Sequence, residues 1–184
     1  GDVLYAINYL ANPDGHDVGE TVAVIGAGNT AVDVARTCLR KGARNVTLYA
    51  RGTEIKATAE EVAYAKLDGA EFKFCRQIVE INDEGPVFKL VLLDDEGNNI
   101  GYADELEQEQ ADTTIIAISQ SPKDKLLHTT KGLKGSEKGL LITDDTGKTT
   151  CEKVYASGDV VLGARTVVEA VEFSKKVAQA MDID

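Results

Sequence analysis

The chain has no tryptophan, one methionine, two histidines and only three cysteines in 184 residues. Each scarcity closes off some chemistry. Cys38, Cys75 and Cys151 are far apart, odd in number and form no Cys-x-x-Cys. The sequence therefore encodes no dithiol redox pair and no zinc or cluster motif; structural thiols in a reducing cytoplasm are expected. His128 has no acid or second histidine at a useful spacing, and His16 lies in a turn, so both read as surface residues rather than catalytic bases. Without a Ser/His/Asp or Cys/His set, nucleophilic catalysis by side chains is not indicated. No apolar run approaches the ~20 residues that span a bilayer. Gly1-Asp2-Val3-Leu4 lacks the basic start and long apolar run of a signal peptide. Positive charge is also short, 20 Lys and Arg against 31 Asp and Glu, for a net −11. Neither nucleic acid nor an anionic membrane is attracted to such a surface.

What is present is ordinary apolar content, 43%, and one informative stretch. Val22-Ala23-Val24-Ile25, an apolar run rich in β-branched residues, leads directly into Gly26-Ala27-Gly28-Asn29-Thr30-Ala31. An amphipathic segment follows, with Ala31, Val34, Ala35, Cys38 and Leu39 on one face and Arg36, Arg40 and Lys41 on the other, ending at Gly42. Strand, tight turn and helix in that order make the first βα unit of a dinucleotide-binding fold. Gly26 allows the turn, Gly28 lets backbone approach a pyrophosphate, and Ala31 keeps the helix close to the strand. The first helical N–H groups, including those of Asn29 and Thr30, then face the anion. Asp33 lies in the first turns of that helix. Its bland reading is stabilisation of the helix dipole.

Asn45 to Tyr49 reads as the second strand, followed by Ala50-Arg51-Gly52. In such folds this strand end meets the adenosine ribose, where an acid favours NAD and a base favours NADP. Arg51 stands there, no acid occurs until Glu54, and Lys56 adds a second positive charge. Charge logic points to NADPH. Arginine also stacks on adenine in either cofactor, so NADH stays open.

Along the rest of the chain, Val3, Leu4, Ile7 and Leu10 recur at helical spacing before Asn12-Pro13-Asp14-Gly15. Thr58 and Glu61 form a capping box for a second helix that ends at Gly69. Phe72–Ile81, Val87–Leu93 and a piece between Ile100 and Leu106 predict a β-meander; the acidic run Asp104–Glu109 is a solvated face. Thr113–Ile118 is an apolar strand, and Lys123–Lys138 is loop-rich. Leu140–Ile142 and Val154–Ala156 predict short strands. The last leads to Ser157-Gly158-Asp159. Thr166-Val167-Val168-Glu169 then caps a helix with Val167, Ala170, Val171, Ser174, Val177, Ala178 and Met181 on one stripe. The fold expected is α/β: a Rossmann-like three-layer domain with a parallel sheet and an inserted β-meander, of the FAD/NAD(P)-binding type.

The order of motifs resembles the pyridine-nucleotide-binding half of the glutamate synthase small (β) subunit family. The resemblance rests on Val24 to Asp33, Gly42-Ala43, Ala111-Asp112, Ala117 to Pro122, and Val154 to Asp159 continuing through Gly163 to Val171. It implies that Gly26, Gly28 and Ala31, with the amides of Asn29 and Thr30, hold the NADPH pyrophosphate. Arg51 would meet the 2′-phosphate, and Asp33 matches an acidic position near the nicotinamide. Gly158 and Asp159 match a motif whose aspartate binds FAD, with the helix opening at Thr166 and Val167 close to the isoalloxazine. The sequence departs from the family at Ala50-Arg51, where two arginines are usual, at Ile55-Lys56-Ala57, and at Ser119.

The family's first FAD-binding glycine motif and cysteine-rich segment would precede Gly1. The resemblance therefore implies a piece of a longer polypeptide: a linker helix at 1–18, an NAD(P)-binding domain at 19–121, and at 122–184 a connecting loop and the returning segment of an FAD-binding domain. The implied partners are the missing FAD domain and a subunit with iron–sulfur or flavin centres. Two alternatives stand beside this reading. One is a nucleotide-binding module without turnover; the other is a thioredoxin-reductase-like enzyme, which requires the absent Cys-x-x-Cys.

Overall fold

Five short strands lie side by side, all parallel, in a computed structural model that describes residues 1–118 and 125–182. They are β1 (Asp2–Tyr5), β2 (Thr21–Ile25), β3 (Asn45–Tyr49), β4 (Glu71–Lys73) and β8 (Thr113–Ile116), in the order β1-β8-β2-β3-β4. A three-stranded antiparallel meander, β5 (Arg76–Asn82), β6 (Gly85–Leu93) and β7 (Asn99–Gln108), is inserted before β8. The chain divides into two compact units on either side of residues 119/120. All eight strands belong to the first.

Alternation along the central strands explains the layers, because successive side chains point to opposite faces of a sheet. Val22 and Val24, with Val46, Leu48 and Ile115, pack against α1 (Ala6–Ala11), α2 (Asn29–Arg40) and α3 (Ala59–Asp68). Ala23 and Ile25 pack on the other face with Tyr49, Phe88 and Ala111, joined by Ile78 and Ile116. Helices, parallel sheet and meander thus form three layers of a Rossmann-like fold. The Tyr49 and Phe88 rings stack at 4.5 Å and 17° where sheet and meander meet. Burial, with Glu109 nearby, pushes the Tyr49 phenol well above its ordinary pKa.

Helix ends follow the sequence. Gly28 precedes the first residue of α2, which buries Ala31, Val32, Val34, Ala35 and Cys38. The Thr58 hydroxyl accepts from the Glu61 N–H at the start of α3, and Gly69 closes that helix in the left-handed conformation at φ +104. Arg36 of α2 clamps α3, its guanidinium 3.0 Å from Glu61 and 2.8 Å from Asp68 and lying over the Tyr64 ring. That pairing holds the Asp68 carboxyl below the usual aspartate range.

Several expected elements differ. Residues 2–5 form the edge strand β1, not the start of a linker helix, and the helix runs only over Ala6–Ala11. Its buried positions are Ala6 and Tyr9, whereas Val3 and Ile7 are exposed. The ladder to β8, running from Asp2↔Thr113 to Tyr5↔Ile116, overrides the helical spacing of the apolar residues. The single strand expected at Phe72–Ile81 is two strands in two different sheets. The chain turns between them at Cys75, whose φ of +55 is costly for a residue with a Cβ. A strand cannot continue through that conformation.

In the second unit, α4 (Lys125–Thr129) lies within the stretch expected to be loop, followed by α5 (Asp159–Leu162) and α6 (Val167–Met181). Leu140–Ile142 and Val154–Ala156 are not strands: only isolated bridges form, Gly135↔Leu141, Thr143↔Thr149 and Lys148↔Tyr155. Among the described residues each segment makes a single antiparallel bridge that does not extend into a ladder. Along α6 only Val177 of the apolar stripe is buried, while Val167 is 79% exposed and Val171 and Met181 are also open.

The stacked contact at the layer boundary gives a stability test. Phe88→Ala should lower unfolding free energy by about 3–5 kcal/mol, as expected for emptying a fully buried ring site. Leu92→Ala, at an exposed position, should cost less than about 0.5 kcal/mol. Denaturant titration of both variants checks the difference.

Candidate functional site

The carboxyl ends of β2, β3 and β8 lie together, with Ile25 in register with both Tyr49 and Ile116. Loops leaving those ends form the crevice where parallel α/β sheets bind ligands. Gly26 begins the first loop. Its N–H donates to the Tyr49 carbonyl at 3.1 Å. A methyl added there would lie 2.4 Å from the Ala117 carbonyl oxygen and 3.2 Å from Cβ of Ala31. Gly26 is therefore required by contact with the neighbouring strand end as well as by the turn, and Ala31, fully buried, is the helix residue that closes on it.

Gly28 is different. A Cβ there would meet no atom within 4 Å, and its φ of −95 suits any residue. Nothing inside the protein requires glycine at this position; the space it leaves is open. Next to that space the Gly28 carbonyl accepts from the N–H groups of Ala31 and Val32 at 3.0 and 3.2 Å. The N–H groups of Gly28, Asn29 and Thr30 have no acceptor among the described residues. Free donors at the positive end of a 12-residue helix, beside an open cradle, suit a pyrophosphate.

Arg51 and Lys56 lie on the loop of residues 50–58 between β3 and α3, both exposed and neither in an ion pair among the described residues. The loop is tied at both ends. At its start, Ala50 N–H donates to Lys73, Arg76 N–H to Ala50, and Cys75 N–H to Gly52. At its end, the N–H groups of Lys56 and Ala57 both donate to the Ala27 carbonyl, at 2.7 and 3.2 Å, and Thr58 N–H donates to Asn29 Oδ1 at 3.1 Å. Sequence reading placed Ala27 and Asn29 in the turn but missed these ties. The one available signal was an asparagine at a first helical position that needs neither a cap nor a left-handed φ.

Asp33 is exposed on α2. Partial desolvation and the Glu61 carboxylate push its pKa above the ordinary aspartate value, with Arg36 pulling the other way. His16 is half-buried rather than on the surface, its ring 6.1 Å from that of Tyr9. His128 is exposed in α4. Ser119-Gln120-Ser121-Pro122, singled out in the sequence, lies outside the described residues.

The second unit gathers its own predicted residues. Asp159, Arg165, Thr166 and Val167, with Ala170 and Ser174, line an open hollow of about 620 Å³. Gly158, at φ +74, begins α5 and lies against Ala170. Thr166 and Glu169 close a full capping box: the hydroxyl accepts from Glu169 N–H at 3.3 Å, and the carboxylate accepts from Thr166 N–H at 3.0 Å. The Thr166 hydroxyl and N–H and the Arg165 guanidinium together hold Glu169 below the usual glutamate range. The N–H groups of Val167 and Val168 have no acceptor among the described residues. A carboxylate, an arginine and two free amides at an apolar helix face fit a ligand with polar and flat apolar parts.

With these two sites in place, comparison with known proteins gives the class. The pattern of pyridine nucleotide-disulphide oxidoreductases matches residues 5–174, and the chain belongs to that family. Among curated relatives, it is 33% identical to the glutamate synthase [NADPH] small chain of Halomonas elongata, over 83% of this chain and 36% of that one. It is also 33% identical to the NADP(+)-dependent formate dehydrogenase subunit beta of Moorella thermoacetica, over 89% of this chain and 25% of the other. The chain thus spans about a third or less of these relatives' length. Among solved structures, two thioredoxin reductases share the fold: that of T. acidophilum superposes with a TM-score of 0.77 at 22% identity over all of this chain and 58% of its own, and that of Lactococcus lactis with 0.75 at 22% over 99% and 57%. Among the described residues no helix is long and apolar enough to cross a membrane.

The two glycines should separate on mutation. Gly26→Ala should destabilise the fold, since its methyl meets Ala117 backbone, whereas Gly28→Val should leave the melting temperature within about 2 °C and abolish nucleotide binding. Thermal melts with and without nucleotide distinguish them. Asp33 gives a pH signature. Its raised pKa means that the ionised form is a burden on the folded state above that pKa, and none below the unfolded value. Asp33→Asn should therefore be more stable than the parent at neutral pH, and the gap should close on acidification.

Proposed function

We propose that this chain is the NADPH-binding part of a flavoprotein oxidoreductase, in which hydride passes from NADPH to FAD and electrons continue to iron–sulfur centres or a partner subunit. The observation that carries the reading is the conjunction at the dinucleotide turn. Among the described residues three N–H groups without an acceptor lie beside the space left open at Gly28, and two cations without an ion pair, Arg51 and Lys56, stand on the adjoining loop. The glutamate synthase [NADPH] small chain and the NADP(+)-dependent formate dehydrogenase subunit beta, two of its relatives, carry that nucleotide in their names, which agrees with basic residues where NAD-binding folds place an acid. NADH is the weaker candidate.

The nucleotide and the flavin, when bound, supply the redox chemistry. The residues of this chain bind and orient. Gly26 and Ala31 set the turn, Gly28 to Thr30 receive the pyrophosphate, and Arg51 with Lys56 pairs with the 2′-phosphate. Asp33 lies further along α2, on the nicotinamide side. In the second unit Gly158, Asp159, Thr166 and Val167 take the flavin side. We assign residues 19–121 to nucleotide binding and 122–184 to the returning part of an FAD domain, with the remainder of that domain and an electron-accepting subunit as partners in a cytoplasmic setting. Taken alone, these 184 residues should bind nucleotide without turning it over, because the chain spans only 25% and 36% of the length of the two relatives above. A thioredoxin-reductase activity is disfavoured by the absence of any Cys-x-x-Cys in this sequence.

Titration calorimetry should show NADPH binding more tightly than NADH, and Arg51→Ala should remove most of the difference, about 1–3 kcal/mol for a charge-assisted phosphate contact. Equal affinities in the unmutated protein would count against the 2′-phosphate assignment.

A further inference from the structure

We infer that Asn29 is a positioning residue for cofactor preference: its side chain holds the cation-bearing loop in register with the pyrophosphate turn. This rests on the reading that the turn binds the pyrophosphate and that the loop meets the 2′-phosphate. Asn29 is the first residue of α2, a position where a side chain is ordinarily solvated. Here Oδ1 instead accepts the N–H of Thr58, 29 residues on, at 3.1 Å. Thr58 begins α3, and its hydroxyl is occupied by the Glu61 N–H at 3.4 Å. Asn29 thus satisfies the backbone N–H of a residue whose side chain is committed elsewhere.

The consequence concerns Arg51 and Lys56. The start of their loop is sewn to the β4–β5 corner by three backbone hydrogen bonds, and its end to the turn by two more on the Ala27 carbonyl plus the Asn29 bond. Among the described residues, 53–55 make no backbone hydrogen bond of this kind, so the anchors at each end set where the cations lie. Of the three bonds that join the loop to the turn, only that of Asn29 involves a side chain. It is therefore the one that sequence change can remove without altering the backbone. The same bond commits the Asn29 side chain to the loop, while its N–H has no acceptor among the described residues. One residue thus serves the pyrophosphate with its amide and the loop with its side chain.

The test breaks the bond from both ends and reads the ratio of NADH to NADPH dissociation constants by calorimetry, using the full 184-residue chain. Asn29→Ala removes the acceptor. Thr58→Pro removes the donor at a residue whose φ of −62 suits proline. Thr58→Ala removes only the hydroxyl and serves as the control. Asn29→Ala and Thr58→Pro should each lower the ratio by about 2- to 10-fold, the span of one net hydrogen bond. Thr58→Ala should lower the melting temperature and leave the ratio unchanged. An unchanged ratio in Asn29→Ala, or an equal fall in Thr58→Ala and Thr58→Pro, overturns the inference. Failure of the underlying reading is seen earlier and separately, as no binding, or no preference, in the unmutated protein; either result removes the inference with it.

Discussion

The contact between Gly26 and the backbone of Ala117 is the constraint on which the candidate site depends. It brings the end of β2 against the end of β8 at a distance that no side chain tolerates, and it fixes the direction in which α2 leaves the sheet. Ala31 then closes on the same point from the helix. With those residues in place, the amides of Gly28, Asn29 and Thr30, beyond the carboxyl end of β2, have no acceptor among the described residues. An unpaired donor buried in protein is costly, but at the lip of a crevice it is available to an anion. The fold thus leaves hydrogen-bonding capacity unspent at the N-terminus of α2.

Charge is distributed to the same end. The protein is strongly acidic overall, yet its first unit uses its cations in two different ways. Arg36 is committed to Glu61 and Asp68 and holds two helices together. Arg51 and Lys56 are committed to nothing among the described residues, on a loop fixed at both ends. A flexible loop would dilute such charges over many positions, and ordering it on binding would cost conformational entropy. A loop already fixed at both ends avoids most of that cost, which is why small tying contacts at Ala27 and Asn29 matter for a ligand they do not touch through their side chains.

Much of this was legible in the residues. The βα unit at Val22–Ala31 showed through because three signals agree: β-branched strand residues, glycines at fixed spacing and a helical apolar face. The full capping box at Thr166 was legible because caps depend on local chemistry; at Thr58 only the hydroxyl cap forms, since the Glu61 carboxylate goes to Arg36 and the Thr58 N–H to Asn29. What was hidden depends on partners distant in sequence. Residues 2–5 have helical spacing of apolar side chains but are captured by an open sheet edge beside β8, more than a hundred residues away. The break at Cys75 divides an apparently continuous strand because its two halves serve different sheets. The Asn29 side chain had no local signature, as its partner Thr58 is brought near only by the fold. In the second unit, short apolar triplets looked like strands, but among the described residues they find only single bridges and no neighbouring strand to extend them.

The central claim is that the turn at Gly26–Ala31 and the loop at 50–58 form one NADPH site. Backbone amide chemical shifts followed during NADPH titration test it most directly. The account predicts the largest shifts at Gly28, Asn29 and Thr30, with Arg51 to Thr58 moving at the same ligand concentrations. Shifts confined to the second unit, or none in either segment at saturating nucleotide, would contradict it.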